Sequence, residues 1–231
     1  DGSTYAFCST GSIYARAGTK NDPEWSFAYN DENGAIKGAA EWQDSGGTNY
    51  MMWMTNTSIA RRDMTTGGKD LPWTNANVNY KTTLDSADWH TAKQATGSLM
   101  IANSDKLAKL DFDLNFNVGA LNIRPGNLIK AIEERDDNVI LGSTRLDNAE
   151  EGHLWSWTPT ALNWVQKKRI PVKGINALIS AEAMLLQGGS EGELFFSDFV
   201  NAVPLNSVGG GRLILVEYQF LMIWQYLGFM D

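Results

Sequence analysis

Residues 97–111 read GSLMIANSDKLAKLD: an apolar run, a short polar turn at Asn103, Ser104 and Asp105, then a second apolar run opening on Leu107. Four more segments share this pattern. They are TYAFCSTGSIYARA from Thr4, NYMMWMTNTSIARRD from Asn49, NVILGSTRLDNAEEGHLWSW from Asn138 and AMLLQGGSEGELFFSD from Ala183. The first anchors are Phe7, Trp53, Ile101, Leu141 and Leu186, spaced 46, 48, 40 and 45 residues apart. The second anchors, Ile13, Ile59, Leu107, Leu154 and Leu194, are spaced 46, 48, 47 and 40. Two anchor series with one period indicate an internal repeat.

The runs are short, rich in β-branched, aromatic and Met residues, and bounded by Asn, Gly, Ser and Thr, so they read as strands joined by hairpin turns. Ahead of each first anchor after Phe7 lies an inner run: IKGAAEW ending at Trp42, ADWHTAKQ around Trp89, LIKAIEER ending at Arg135, and INALISA ending at Ala181. LIKAIEER could be helical by itself; its place in the repeat makes it a strand. A Trp follows the second anchor in three units (Trp25, Trp73 and Trp164), marking a fourth strand. Four antiparallel strands in about 46 residues, repeated, are the signature of a β-propeller blade. The expectation is an all-β chain, residues 1–231 forming a single β-propeller domain of about five four-stranded blades, or a truncated larger propeller.

With strands lettered a to d from the centre outward, the chain opens on strand b, and its missing strand a would come from the far end. There, residues 213–230 read LILVEYQFLMIWQYLGFM, within a possible ring-closing run at 212–231. Val216, Tyr218 and Phe220 alternate with Glu217 and Gln219, the period of a strand. A membrane or interface anchor and an unnatural tail are the alternatives; three polar groups and no flanking basic cluster count against a span. The opening Asp1, with no basic-then-apolar leader after it, suggests a processed or excised product.

Composition narrows the function classes. The 231 residues include 27 acidic and 19 basic ones, for a net charge of −8, so a phosphate backbone offers no counterion-release gain and nucleic acid is not expected as a partner. The single cysteine, Cys8, excludes an internal disulfide and a Cys-based zinc site; it reads as a small buried hydrophobe in strand b. There is no G-x-S-x-G, Walker loop or H-E-x-x-H. His90 and His153 read as structural histidines within strands.

Carboxylates matter because propeller glycosidases use them. Glu41, Asp88, Glu133 or Glu134, and Glu182 fall near the end of strand a in successive units. A catalytic pair needs two differing environments, which a repeated position does not supply. Of the arginines, Arg62, Arg124, Arg135 and Arg145 are the ones that could converge on a substrate carboxylate. A binding role fits better. The d–a and b–c loops share one face and are polar, giving Asp31, Asn33, Asn56, Asp85, Asn103, Asp105 and Arg145 as candidate binding residues; Asn and Asp beside aromatic rings suit sugar hydroxyls. Turn formation alone also explains such residues. Asn56-Thr57-Ser58 is formally a glycosylation acceptor. No cofactor or metal is expected; Asp136-Asp137 is weighed for calcium and read instead as a solvated turn.

The hairpin from Asn103 to Asp111, the run from Leu121 to Lys130 with Pro125, Gly126 and Asn127, the Glu134-Arg135 pair and the strand from Leu141 to Arg145 together resemble phage-encoded β-propeller proteins of the virion. DGSTYAFCSTGSIYAR and IKGAAEW resemble the opening of such proteins. The resemblance spans residues 1 to about 210 and is most detailed from Gly97 to Arg145; after Gly211 the chain departs from the pattern. It implies a structural, tail- or capsid-associated or host-contacting role in a tailed-phage particle, in a virion or extracellular setting, without assigned catalytic residues. Its expected partners are other virion proteins and a host-surface glycan, with no membrane insertion. A glycoside hydrolase acting through Asp31, Asp85 and Glu133, and a purely architectural virion protein, are the alternatives.

Overall fold

The repeated apolar runs pair as antiparallel strands in a computed structural model that describes residues 3–16, 24–65, 71–78, 83–147, 151–160, 165–170, 172–181, 184–197 and 202–204. The chain divides into two compact units, residues 1–125 and 126–231. Among the described residues there are five antiparallel sheets, and within each one every strand pairs only with its neighbours in sequence.

The first unit carries three sheets. One is formed by β1 (Thr4–Phe7), β2 (Ser12–Arg16) and β3 (Ser26–Asn30), and the next by β4 (Gly38–Gln43), β5 (Asn49–Met54) and β6 (Ile59–Asp63). The third comprises β7 (Ala92–Ala95), β8 (Ser98–Asn103), β9 (Lys106–Leu110) and β10 (Phe116–Asn122). The second unit carries two four-stranded sheets. They are β11 (Asn127–Arg135), β12 (Asn138–Arg145), β13 (Gly152–Trp157) and β14 (Val165–Ile170), then β15 (Ile175–Ala181), β16 (Met184–Gly189), β17 (Leu194–Ser197) and β18 (Ala202–Pro204).

Strand β5 shows why its sequence, NYMMWM, is nearly all apolar. Successive side chains alternate between faces, and here both faces are covered. Met51 and Trp53 pack with Ile13, Tyr29, Ile36 and Val78 on the side of the first sheet. Met52 and Met54 pack with Trp42, Leu99, Ile101 and Leu110 on the side of the third. In the second unit, Ile140, Leu154 and Ile170 pack with Ile175, Leu178 and Leu185 between its two sheets. The anchors Ile13, Ile59, Leu107 and Leu154 are fully buried, so the period follows the core.

Two glycines permit the close approach of neighbouring sheets. A Cβ on Gly38 would sit 2.0 Å from the His90 carbonyl oxygen, and one on Gly142 would sit 2.6 Å from Ile175 Cγ2. Two-residue turns close three hairpins. Thr96-Gly97 and Asp136-Asp137 both have positive φ at both positions, and Ser104 does so in Ser104-Asp105. Positive φ at both central residues matches the twist of the flanking strands.

LIKAIEER lies wholly in β11, as the repeat required, but several other sequence expectations need correction. Trp73 does not begin a strand. Its segment makes a 3-10 turn at Asn75–Asn77, and the sheet β4-β5-β6 has three strands among the described residues. The indole is drawn instead into the core, 4.0 Å from the Arg62 guanidinium and stacked on Tyr29 at 5.8 Å. Only Ala92–Ala95 of the ADWHTAKQ run is strand, so Asp88, Trp89 and His90 belong to the loop before it. Cys8 lies one residue beyond β1 and is half-buried, because its backbone turns there to bond Ser12 and Gly11. Trp164, Glu182 and the run 213–230 fall outside the described residues.

Candidate functional site

Strand-end loops in both units are held by hydrogen-bonded side chains at the ends of strands. In the first unit, Asp31 leaves β3 and turns inward, only 1% exposed. Its Oδ1 accepts the Asn33 backbone N–H at 2.8 Å and the Asn33 amide at 2.7 Å, while its Oδ2 accepts the Trp53 indole N–H at 2.7 Å. An ionised acceptor strengthens such bonds, and a buried carboxylate without them would be costly. Asp31 and Asn33 therefore brace the loop between β3 and β4 against β5. Around them, the Tyr29 hydroxyl donates to Asn75 Oδ1 at 2.5 Å, and Asn75 donates to Glu32 at 2.7 Å. Burial, reinforced by Asp31 and Glu32, pushes the Tyr29 phenol up to about 12.

The second brace joins four sequence-derived candidates or their neighbours. Asn103, fully buried at the end of β8, accepts the Asp85 backbone N–H at 2.7 Å through Oδ1. Its amide nitrogen lies 3.4 Å from both Asp85 Oδ2 and the Val118 carbonyl. Lys106 closes the group with a 2.8 Å ion pair to Asp85, which raises the lysine's pKa. One residue on, Ser86 donates to Asn56 Oδ1 at 3.0 Å. Asp105 contributes its carbonyl, which accepts the Ile123 N–H at 2.9 Å. The structure thus brings Asn56, Asp85 and Asn103 together. It leaves Asp31 and Asn33 in a different loop of the same unit.

His90 anchors the same loop. Its Nδ1 lies 2.9 Å from the Ala102 carbonyl and its Nε2 lies 3.1 Å from the Asn56 carbonyl. It is a structural histidine in a loop, not in a strand. The difference is physical: an imidazole facing two backbone carbonyls does the work that a ladder of strand bonds does elsewhere.

Arg145 lies in the second unit, at the end of β12. Its guanidinium forks onto Asp147 at 2.5 and 2.7 Å and reaches Glu151 at 3.1 Å. These acceptors raise its pKa. Glu151 also pairs with Arg169 at 3.2 Å and lies 3.6 Å from His153 Nε2. His153 is buried, and its Nδ1 has no hydrogen-bond partner among the described residues. Burial first, and then the positive charge of Lys167, push its pKa down to about 4, so the ring is neutral at neutral pH. Beneath this group Ser143 accepts the Trp155 indole N–H at 2.8 Å.

The carboxylates and arginines do not gather into a catalytic arrangement among the described residues. Glu133 is buried in β11 and bonds the next backbone N–H. Asp88 is exposed ahead of β7 and not at the end of strand a. Arg135 and Arg145 stand at opposite ends of the β11–β12 pair, since Arg135 faces Asn138 while Arg145 faces Asn127. Arg62 is buried, with its Nη2 on the Leu71 carbonyl at 2.6 Å. Asp136 pairs with Arg135 at 3.3 Å in its hairpin turn, and no cluster of metal-ligating groups occurs among the described residues.

Sequence reasoning missed Trp53, Ser86, Lys106, Glu151 and Arg169 as partners. One signal was available. Thr55, Asn103 and Ser143 each stand two residues after a first anchor, and all three are buried and polar.

A fold of short antiparallel meanders repeated along the chain, with polar loops braced at strand ends, is that of propeller-like proteins. Comparison with solved structures agrees. The chain is similar to Raptor from Chaetomium thermophilum, with 10% identity and a TM-score of 0.61, over 91% of this chain and 20% of that one. It is similar to a chain of a mitotic checkpoint complex, with 11% identity and a TM-score of 0.58, covering 84% of this chain and 60% of that one. It is also similar to the Pan2 WD40 domain of Neurospora crassa, with 12% identity and a TM-score of 0.56, over 90% of this chain and 65% of that one. The chain thus spans less than two thirds of each of these three chains. At such identities the likeness concerns the fold alone. No protein-family model matches the chain, and no curated protein does.

Proposed function

We propose that the chain is a non-enzymatic binding β-propeller of a phage particle, with about five blades. On this reading the run 212–231 supplies the inner strand that β1–β3 lack. Its polar loop face contacts a host-surface glycan or a partner protein, and other virion proteins hold it in the particle. The observation that carries this reading is the internal commitment of the loop side chains. Asp31 is spent on Trp53 and Asn33, and Asp85 on Asn103 and Lys106. Such bonds suit a fixed display surface. Hydrolysis instead asks for two carboxylates set about 5 to 9.5 Å apart around a scissile bond. Asp31 and Asp85 leave different loops, and Glu133 is buried within a strand of the other unit.

A panel of chromogenic glycosides tests the proposal. No turnover above buffer is expected from the wild type or from Asp85→Asn. Hydrolysis by the wild type that Asp85→Asn abolishes would replace the binding reading with the glycosidase one.

A further inference from the structure

The loop that carries Asp85 also carries an exposed aromatic ring that no part of the core uses. Trp89 is 57% exposed, although the residue after it, His90, is fully buried. An indole of this size gains substantially from burial, so leaving it in water calls for a reason. The loop around it is firmly fixed. The His90 ring lies between the Ala102 and Asn56 carbonyls, and its backbone N–H donates to the Lys37 carbonyl at 2.8 Å. Upstream, the Leu84 N–H donates to the Thr57 carbonyl at 2.6 Å and the Asp85 N–H to Asn103. Trp89 is therefore presented on a rigid support.

Its surroundings are polar and open. Asn56, Ser86 and Asp88 are all exposed. Asn56 accepts the Ser86 hydroxyl through Oδ1, which leaves its amide N–H donors facing solvent. Asp88, next in sequence to Trp89, offers carboxylate acceptors. Ser86, Asp88 and Trp89 share this loop, and Asn56 is tied to it through Ser86 and His90, a set that suits a pyranose, whose C–H face is apolar and whose rim carries hydroxyls. The charge selects further. Asp88 adjoins Trp89, Lys106 is paired with Asp85, and the chain's net charge is −8, so an acidic sugar would be disfavoured.

We propose that Trp89 is the stacking platform of a binding site for a neutral pyranose sugar, with Asn56, Ser86 and Asp88 supplying its hydrogen bonds. The inference rests on the glycan-binding form of the proposal above and names its ligand class and location.

The test uses the full chain on a printed array of neutral hexose and N-acetylhexosamine oligosaccharides alongside sialylated and phosphorylated ones. Neutral glycans should bind. Trp89→Ala should weaken that binding at least tenfold, Trp89→Phe should retain it within about threefold, and Asn56→Ala should lower it by an intermediate factor. Far-UV circular dichroism should be unchanged for all three, as expected for exposed positions. Binding of neutral glycans that Trp89→Ala leaves intact would overturn the site while sparing the glycan-binding reading. Preference for anionic glycans would overturn the ligand class. No binding to any glycan would overturn both this inference and the glycan-contact reading.

Discussion

The two units solve the same problem, fastening a strand-end loop to a sheet, with opposite charge. In residues 1–125 the fastener is anionic: Asp31 grips Trp53, and burial first, reinforced by the charges of Asp31 and Glu32, raises the pKa of the Tyr29 phenol. In residues 126–231 the neighbourhood of His153 is largely cationic: Arg145 and Arg169 pair with Glu151, Arg145 also with Asp147, and burial first, then Lys167, keeps His153 unprotonated. The repeat specifies apolar anchors at fixed spacing and leaves open the chemistry that seals each loop. In three of the five units a buried polar residue, Thr55, Asn103 or Ser143, stands two past the first anchor, and its type differs each time.

The largest expected effect falls in the first unit. Trp53→Ala removes a fully buried indole and takes the donor from Asp31 Oδ2; the truncation alone costs about 3–5 kcal/mol. Hydrogen exchange read by mass spectrometry should show the loss across β1–β6, and unchanged protection there would break the account of the anionic brace.

The pH windows sharpen the contrast. His153 has a folded pKa of about 4, below the usual 6.5 or so for histidine. Between these values the unfolded chain binds a proton that the folded chain refuses, so stability present above pH 6.5 is lost as pH falls toward 4. The loss is on the order of 3 kcal/mol. Tyr29 runs the other way: with a folded pKa of about 12, stability is intact below about pH 10 and falls on the order of 2–3 kcal/mol as pH rises through 12. Exchange protection measured on each unit should decline in acid for β12–β14, an effect that His153→Phe removes. It should decline in alkali for β3, an effect that Tyr29→Phe removes. Equal sensitivity of both units at both extremes would erase the distinction.

The glycine pair gives a smaller test. Gly38→Ala drives a Cβ to 2.0 Å from a backbone carbonyl oxygen, whereas Gly142→Ala meets Ile175 Cγ2 less closely, at 2.6 Å. Overpacking costs about 1–3 kcal/mol, and Gly38→Ala should sit at the upper end and Gly142→Ala at the lower, by urea denaturation. Smallest is Asp137→Gly, in a turn where φ is +61°. It should stabilise by about 0.5–1 kcal/mol by relieving a left-handed conformation, and a loss of stability would contradict that turn assignment.

The repeat was legible because burial repeats: Ile59, Leu107 and Leu154 announce themselves by spacing and prove fully buried. Strand a was read well where apolar character marked it, in β4, β11 and β15. It was overextended in ADWHTAKQ, where Trp89 mimics a strand residue while standing in water. The loop candidates were found by type but not by role. Asp31 and Trp53 are 22 residues apart and Tyr29 and Asn75 are 46 apart, and no local pattern predicts such pairings. Asn and Asp occur in turns for their own backbone reasons, which hid the difference between buried Asn103 and exposed Asn56.

The chain is proposed as a working part of a phage particle, one that binds and does not catalyse. Purifying assembled particles from a phage lysate that produces the chain on a density gradient, and quantifying the chain by mass spectrometry, tests this proposal most directly. The account predicts that the chain bands with intact particles at a fixed ratio to the other virion proteins through repeated gradients. Recovery of the chain only in the soluble fraction, with none in the particles, would contradict it.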